Sequence, residues 1–267
     1  MKNILKWNLL TGLLFSTQVW SHEVWVDAEH IHSGEVLQAA IGYGHFPKLE
    51  KIASDRLGIF APMQLVGKNG IQTLKQKGEN YQYESELPLQ EGSYLVLGTY
   101  KPTFWSENNS GWRQQSLRQM LDAKYCEQSA MYAKHVLNVG HGRTDNDVLT
   151  RAVGQVLEIV PLINPQTVQV GEPLPVKVLF KGEPLSNVTL VATFKGFTER
   201  DLNDHNHTLE PQAFSHQTNS QGIVDIIPLR EGYWKAKVIH KADFVPQSEC
   251  NKLATYATLT FHIGSEH

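Results

Sequence analysis

Only two cysteines occur among 267 residues, and their spacing fits neither CxxC redox chemistry nor a Cys-rich zinc site. Beyond the first 21 residues no run approaches the roughly 20 apolar residues needed to cross a bilayer, so stable membrane insertion is not expected. Charge of one sign is also lacking. The formal net charge of −3 offers no basic surface for nucleic acid or an anionic membrane. The catalytic patterns GxSxG, GxGxxG after a strand, P-loop and HExxH are missing, and the carboxylates are scattered without an acid–base pair. A non-enzymatic protein is the expectation.

What is present begins at the N-terminus. Residues 1–21 read as a secretory signal peptide, with Lys2 and Lys6 ahead of the apolar stretch Leu9–Phe15 and the small residues Val19 and Ser21 before a cut. The segment has no twin arginine and no cysteine at the cut, which suits the general secretory route and a soluble periplasmic product. Cleavage there takes the formal charge from −3 to −5, since Lys2 and Lys6 leave without an acid. It also leaves His22 first, with a free α-amine beside its imidazole, a chelating pair suited to nickel, copper or zinc. All 12 histidines lie beyond residue 21. In an oxidising compartment Cys126 and Cys250 are most simply a disulfide, stabilising by roughly 4–5 kcal/mol in the chain-entropy model; a metal–thiolate pair is the alternative. Sequons at Asn108, Asn187 and Asn206 read as chance.

The mature chain suits two domains and a mainly β fold. Glu23–Ala28 and Glu35–Tyr43 flank a turn-like His32-Ser-Gly and predict a hairpin, followed by strands at Leu57–Phe60, Met63–Val66, Tyr81–Leu87 and Tyr94–Tyr100. Gln155–Pro161, Pro175–Phe180, Val188–Phe197, Gly222–Pro228, Trp234–His240 and Ala254–Ile263 continue the rhythm of a β-sandwich. Between them, apolar residues at three- and four-residue steps from Arg113 to Asn138 predict a helix stopped by Gly140. The expected architecture is therefore two immunoglobulin-like β-sandwich modules, residues 22–110 and 154–267, joined by a helical connector over 111–153.

The histidines divide by setting. His30 and His32 sit at the hairpin tip, His205, His207 and His216 in a polar loop, and His135 and His141 at the expected helix end; none needs a metal to explain it. His240 and His262 fall in strands. His45 differs, because a hairpin closed by Ala28 and Glu35 places His22 opposite about Ile41 and leaves His45 roughly 13 Å beyond that partner. Gly42, Gly44 and Pro47 could curl the segment back to make a shared site.

Gly42-Tyr-Gly-His-Phe-Pro, Tyr94-Leu-Val-Leu-Gly-Thr-Tyr-Lys-Pro-Thr-Phe-Trp, Gly154-Gln-Val-Leu-Glu-Ile-Val-Pro, Pro228-Leu-Arg-Glu-Gly-Tyr-Trp and the N-terminal His22-Glu-Val-Trp-Val carry a resemblance. Together they resemble a bacterial periplasmic family associated with nickel and cobalt uptake beside energy-coupling-factor transporters. The resemblance covers essentially the whole mature chain. It implies two β-sandwich modules, Ni2+ or Co2+ as the ion, His22 and His45 as metal ligands, and Cys126 and Cys250 at the family's cysteine positions. It implies capture of the ion and delivery to an inner-membrane energy-coupling-factor-type importer. Two other readings stand beside it: a copper-dependent polysaccharide monooxygenase built on the N-terminal histidine and a second histidine, and a structural adhesive β-sandwich module that makes no use of His22.

Overall fold

The computed structural model describes residues 22–140, 145–197 and 212–264. The expected signal segment, His141, the His205–His207 run and the Asn206 sequon lie outside the described residues. Within them the chain is mainly β. In chain order the strands are β1 (Glu23–Ala28), β2 (Gln38–Gly44), β3 (Gln64–Gly67), β4 (Gly70–Thr73), β5 (Lys75–Gln76) and β6 (Gln82–Glu84). A long β7 (Gly92–Asn108), a short β8 (Gly111–Arg113) and β9 (Tyr125–Val139) follow. Then come β10 (Leu157–Pro161), β11 (Leu174–Phe180), β12 (Glu183–Pro184), β13 (Thr189–Phe194) and β14 (Phe214–Gln217). The last are β15 (Ile223–Ile226), β16 (Gly232–Asp243) and β17 (Lys252–Ile263).

Three layers result. A nine-stranded sheet, ordered β14-β13-β16-β17-β9-β7-β3-β4 with β8 on β7, forms the middle. The sheet β1-β2-β6-β5 covers one face, and β10-β11-β12 with β15 covers the other. Strand alternation sends successive side chains of the middle sheet into two different cores. Leu65, Val96 and Leu137 pack with Val26 and Ile41 on one side. Val66, Leu95, Leu97 and Val136 pack with Ile159, Val176 and Trp234 on the other.

This layering explains the largest departure from expectation. The segment Arg113–Asn138 is not a helical connector: from Tyr125 onward it is β9, paired antiparallel with β7 and parallel with β17. Because β9 is covered on both faces, Met131, Ala133, Leu137 and Val139 point to one core while Tyr132 and Val136 point to the other. Apolar residues then occur at nearly every position, and the three- and four-residue steps of a helix arise without one. The earlier part of the segment is turn, with Leu121 92% exposed. Within the middle sheet, hydrogen bonding thus runs from β4, β3 and β7 through β9 into β17, β16, β13 and β14. A second departure is at Leu57–Phe60, where a 3-10 turn, Ser54–Ile59, replaces the expected strand.

Two buried ion clusters tie the layers. Lys134 of β9 reaches Glu158 of β10 at 2.5 Å, and Glu158 also accepts from the backbone N–H groups of Val153 (2.7 Å) and Gly154 (3.1 Å). Burial pushes the Lys134 ammonium below its usual range, partly countered by the Glu158 charge. The second cluster lies at the start of β1 and is part of the site.

Candidate metal centre

The hairpin β1–β2 pairs Ala28 with Ala39, Val26 with Ile41, Trp25 with Gly42 and Glu23 with Gly44. The ladder ends there, and His22 and His45 are the next residues outward on the two chains. Their ring centroids are 6.0 Å apart in an edge-to-face arrangement, and both residues are half-buried. The register differs by four residues from the expected pairing of His22 with Ile41. The cause is the connection, in which Glu35 belongs to the turn rather than to β2. Its carboxylate accepts from the His32 N–H at 2.7 Å, and Gly34 N–H donates to Leu89 at 2.8 Å. The expected 13 Å gap disappears, and no curl of the chain is needed.

The end of β1 is firmly held. Strand edges carry unpaired backbone groups, and here side chains of the middle sheet occupy them. Thr258 Oγ1 donates to the Val24 carbonyl at 2.7 Å, while Thr260 Oγ1 (2.5 Å) and the Tyr233 hydroxyl (2.9 Å) donate to the Val26 carbonyl. With its one proton so placed, Thr260 accepts from His135 Nδ1 at 3.0 Å, which fixes that buried histidine in strand β9 rather than at a helix end. Glu23, beside His22, is buried and ion-paired with Lys235 and with Lys237 at 2.8 Å. Burial, and then the Lys237 charge, drive the Lys235 ammonium well below its ordinary range.

Two glycines let the opposite strand fit. The Trp25 indole lies flat across Gly42, where any Cβ would collide with its ring carbons. Gly44 has φ +140°, a conformation that L side chains rarely adopt, and it turns the chain just before His45. Phe46 is buried against Trp25 (5.9 Å between centroids) and Tyr233 (5.4 Å), so His45 is anchored on its other side as well.

Inward from the pair is a cavity of roughly 300 Å³ between the layers. Tyr43 forms its near wall, 5.1 Å from the His22 ring and stacked on Tyr100 at 6.0 Å. Arg56 Nη1 donates to the Tyr43 hydroxyl at 2.8 Å, and its guanidinium lies 4.4 Å over the Trp105 ring. Trp105 Nε1 donates to the Tyr100 hydroxyl at 2.7 Å. Burial raises the Tyr43 and Tyr100 phenols above their ordinary range, so both stay protonated at neutral pH. On the cavity wall the buried Glu127 accepts from Ser129 Oγ at 3.0 Å and the Tyr256 hydroxyl at 3.4 Å, and pairs with Lys241 at 3.0 Å. Tyr125 also donates to it at 3.3 Å; burial and then the Glu127 charge push that phenol up to about 12.

Cys126 and Cys250 form a disulfide with Cα atoms 4.9 Å apart, both fully buried. It pins the start of β9 beside Glu127, while the Cys126 N–H donates to Asn251 Oδ1 at 2.8 Å.

The other described histidines lie outside this pair. His30 and His32 meet edge-to-face 5.3 Å apart in the hairpin loop, His240 packs on Phe180 at 4.4 Å, and His262 lies 5.1 Å from Tyr233. His216 is exposed on β14. Among the described residues no group of three or more His, Cys, Asp or Glu side chains converges on one point. The fit to an ion therefore rests on the two adjacent imidazoles of His22 and His45. Neutral imidazole nitrogens suit nickel, copper and zinc alike. Sequence reading missed Tyr43, Arg56 and Glu127. Tyr43 was accessible as the residue two before His45 on the same strand face, whereas Arg56 and Glu127 arrive from distant segments with no local signal.

Residues 19–242 match a family described as a domain of unknown function, DUF4198. The chain belongs to this family. No curated protein matches. Among solved structures the human OSCAR ligand-binding domain is similar at 14% identity and TM-score 0.20, over 88% of this chain and 95% of that one. An Escherichia coli alpha-2-macroglobulin is similar at 10% identity and TM-score 0.24, over 90% of this DUF4198 chain. The match spans 23% of that longer protein. Agreement at this level carries no argument about function.

Proposed function

We propose that this DUF4198 protein, exported and cut before His22, is a periplasmic metal-binding protein that captures Ni2+ or Co2+ and presents it to an inner-membrane energy-coupling-factor-type importer. The observation that carries the reading is the register that sets His45 across from His22, at the anchored end of β1. His22 supplies amine and imidazole and His45 a second imidazole, three neutral nitrogens on one side of an ion. The remaining positions of an octahedral sphere are open to water or another small ligand, which keeps the ion releasable. The protein binds and carries; it performs no chemistry on the ion.

The copper monooxygenase reading uses the same three nitrogens. The cavity behind them is concave and aromatic, which argues against a flat polysaccharide-binding face. Calorimetric titration of chain starting at His22, and of the same chain with one extra N-terminal residue, tests the proposal. Tight Ni2+ binding is expected only for the first, because an amide nitrogen is no longer a basic donor. His45→Ala should weaken binding in the first and add little to the extension, since both break one coordination sphere. Equal Ni2+ affinity for the two forms removes the amine from the site. Loss of Cu2+ binding alone on extension moves the assignment to the copper enzyme.

A further inference from the structure

The strongest unexplained feature is the cavity behind the histidine pair, and within it the charge of Arg56. Its guanidinium lies 4.4 Å over the Trp105 ring and is bonded once, through Nη1, to Tyr43. Among the described residues no carboxylate pairs with it, so most of its donor edge has no protein acceptor. Glu127, the one acid of the lining, is taken up by Lys241 and by hydroxyl groups. Arg56 therefore presents to the cavity a planar, half-buried guanidinium with donors to spare, which is the arrangement that suits a bidentate carboxylate. Its other end opens at His22, one ring away across Tyr43.

We infer that the cavity takes an α-amino carboxylate that chelates the metal, its carboxylate on Arg56 and its nitrogen donors on the ion held by His22 and His45. This rests on the metal reading above and supplies the ligands that reading leaves open. Three observations select the class. A volume of roughly 300 Å³ is at the lower limit for small-molecule sites and suits an amino-acid-sized ligand. A single arginine matches one carboxylate, whereas a tricarboxylate would press further anionic groups against the negative faces of the aromatic walls. Aromatic walls favour a flat, unsaturated side chain over an aliphatic one.

Equilibrium dialysis of the protein starting at His22, with labelled L-histidine as the probe, tests this. With Ni2+ present, histidine should be retained near one per protein; without Ni2+, retention should fall at least tenfold. Histamine, which keeps the chelating nitrogens but lacks the carboxylate, should be retained at least tenfold less than histidine. Arg56→Gln should lose histidine retention by a similar factor, with Arg56→Lys intermediate and melting curves confirming that each variant folds. Retention of Ni2+ with no histidine, equal retention of histamine, or retention of histidine regardless of Ni2+ overturns the inference and leaves the metal site standing. Failure to retain Ni2+ under any condition overturns the metal reading itself.

Discussion

Gly42→Ala is the sharpest test of how the hairpin is built. A methyl group there would stand 2.5 Å or less from the Cδ2, Cε2 and Cζ2 atoms of Trp25, against the ~3.5–4.0 Å of ordinary carbon contacts. Trp25 has nowhere to go, being fully buried with Phe46 beside it. Overpacking of this kind costs about 1–3 kcal/mol. Because Gly42 is in ordinary strand conformation, alanine recovers ~0.4–1 kcal/mol by restricting the unfolded chain. With an immovable indole the upper part of the first range applies, so the net loss should be about 2 kcal/mol, or a fall in Tm of ~4–8 °C for a chain of this size. Trp25→Ala alone should cost about 3–5 kcal/mol through the cavity it leaves. That cavity would house the new methyl, so the double variant should be less destabilised than the sum by about 2 kcal/mol. Urea denaturation of the four proteins measures all three values. A Gly42→Ala protein within ~0.5 kcal/mol of the parent, or strictly additive losses, would refute the packing described for Trp25.

Three further outcomes are expected. Protein alkylated promptly without reduction should show no free thiol by mass spectrometry, and Cys126→Ala with Cys250→Ala should lower stability by up to about 5 kcal/mol while changing Ni2+ affinity much less; two free thiols in that spectrum would contradict the disulfide. Replacing His205, His207 and His216 together with Ala should leave tight Ni2+ binding intact in calorimetry, and its loss would put the site in the wrong half of the chain. Burial lowers the His240 imidazole below its ordinary range, so the unfolded chain takes up that proton first: stability is retained above ~6.5 and declines as pH falls below it. The urea midpoint should drop less between pH 7.5 and 5.5 in His240→Gln than in the parent.

Much of the β framework was readable because turn residues punctuate it. Glu23–Ala28 keeps its expected bounds, and the strands ending at Pro161, Phe180 and Ile263 end where sequence placed them. The helix expected over 113–138 failed because periodicity reports one buried face, and β9 has two. His22 and His45 were expected to share a site, but the register that brings them together was not foreseen. Register depends on how many residues the turn consumes, and the bond from His32 to the Glu35 carboxylate is a local detail that composition does not announce. Arg56 and Glu127 were invisible for a different reason. Their meaning comes from Trp105, Tyr43 and Lys241, which reach them only through tertiary packing.

The parallel pairing of β9 with β17 has a consequence for how the chain reaches its native state. β9 is the middle of the largest sheet, yet one of its two edges stays bare until residues 252–260 arrive to cover it. Until then the N-terminal strands form a half-built sheet with an apolar, hydrogen-bond-hungry margin, the kind of edge that recruits other chains. Contacts so remote in sequence are slow to form. The order of events is thereby constrained: the early strands cannot settle into a finished unit that waits for the rest. A chain shortened before β17 should not yield a stable N-terminal fragment carrying His22 and His45. It should aggregate.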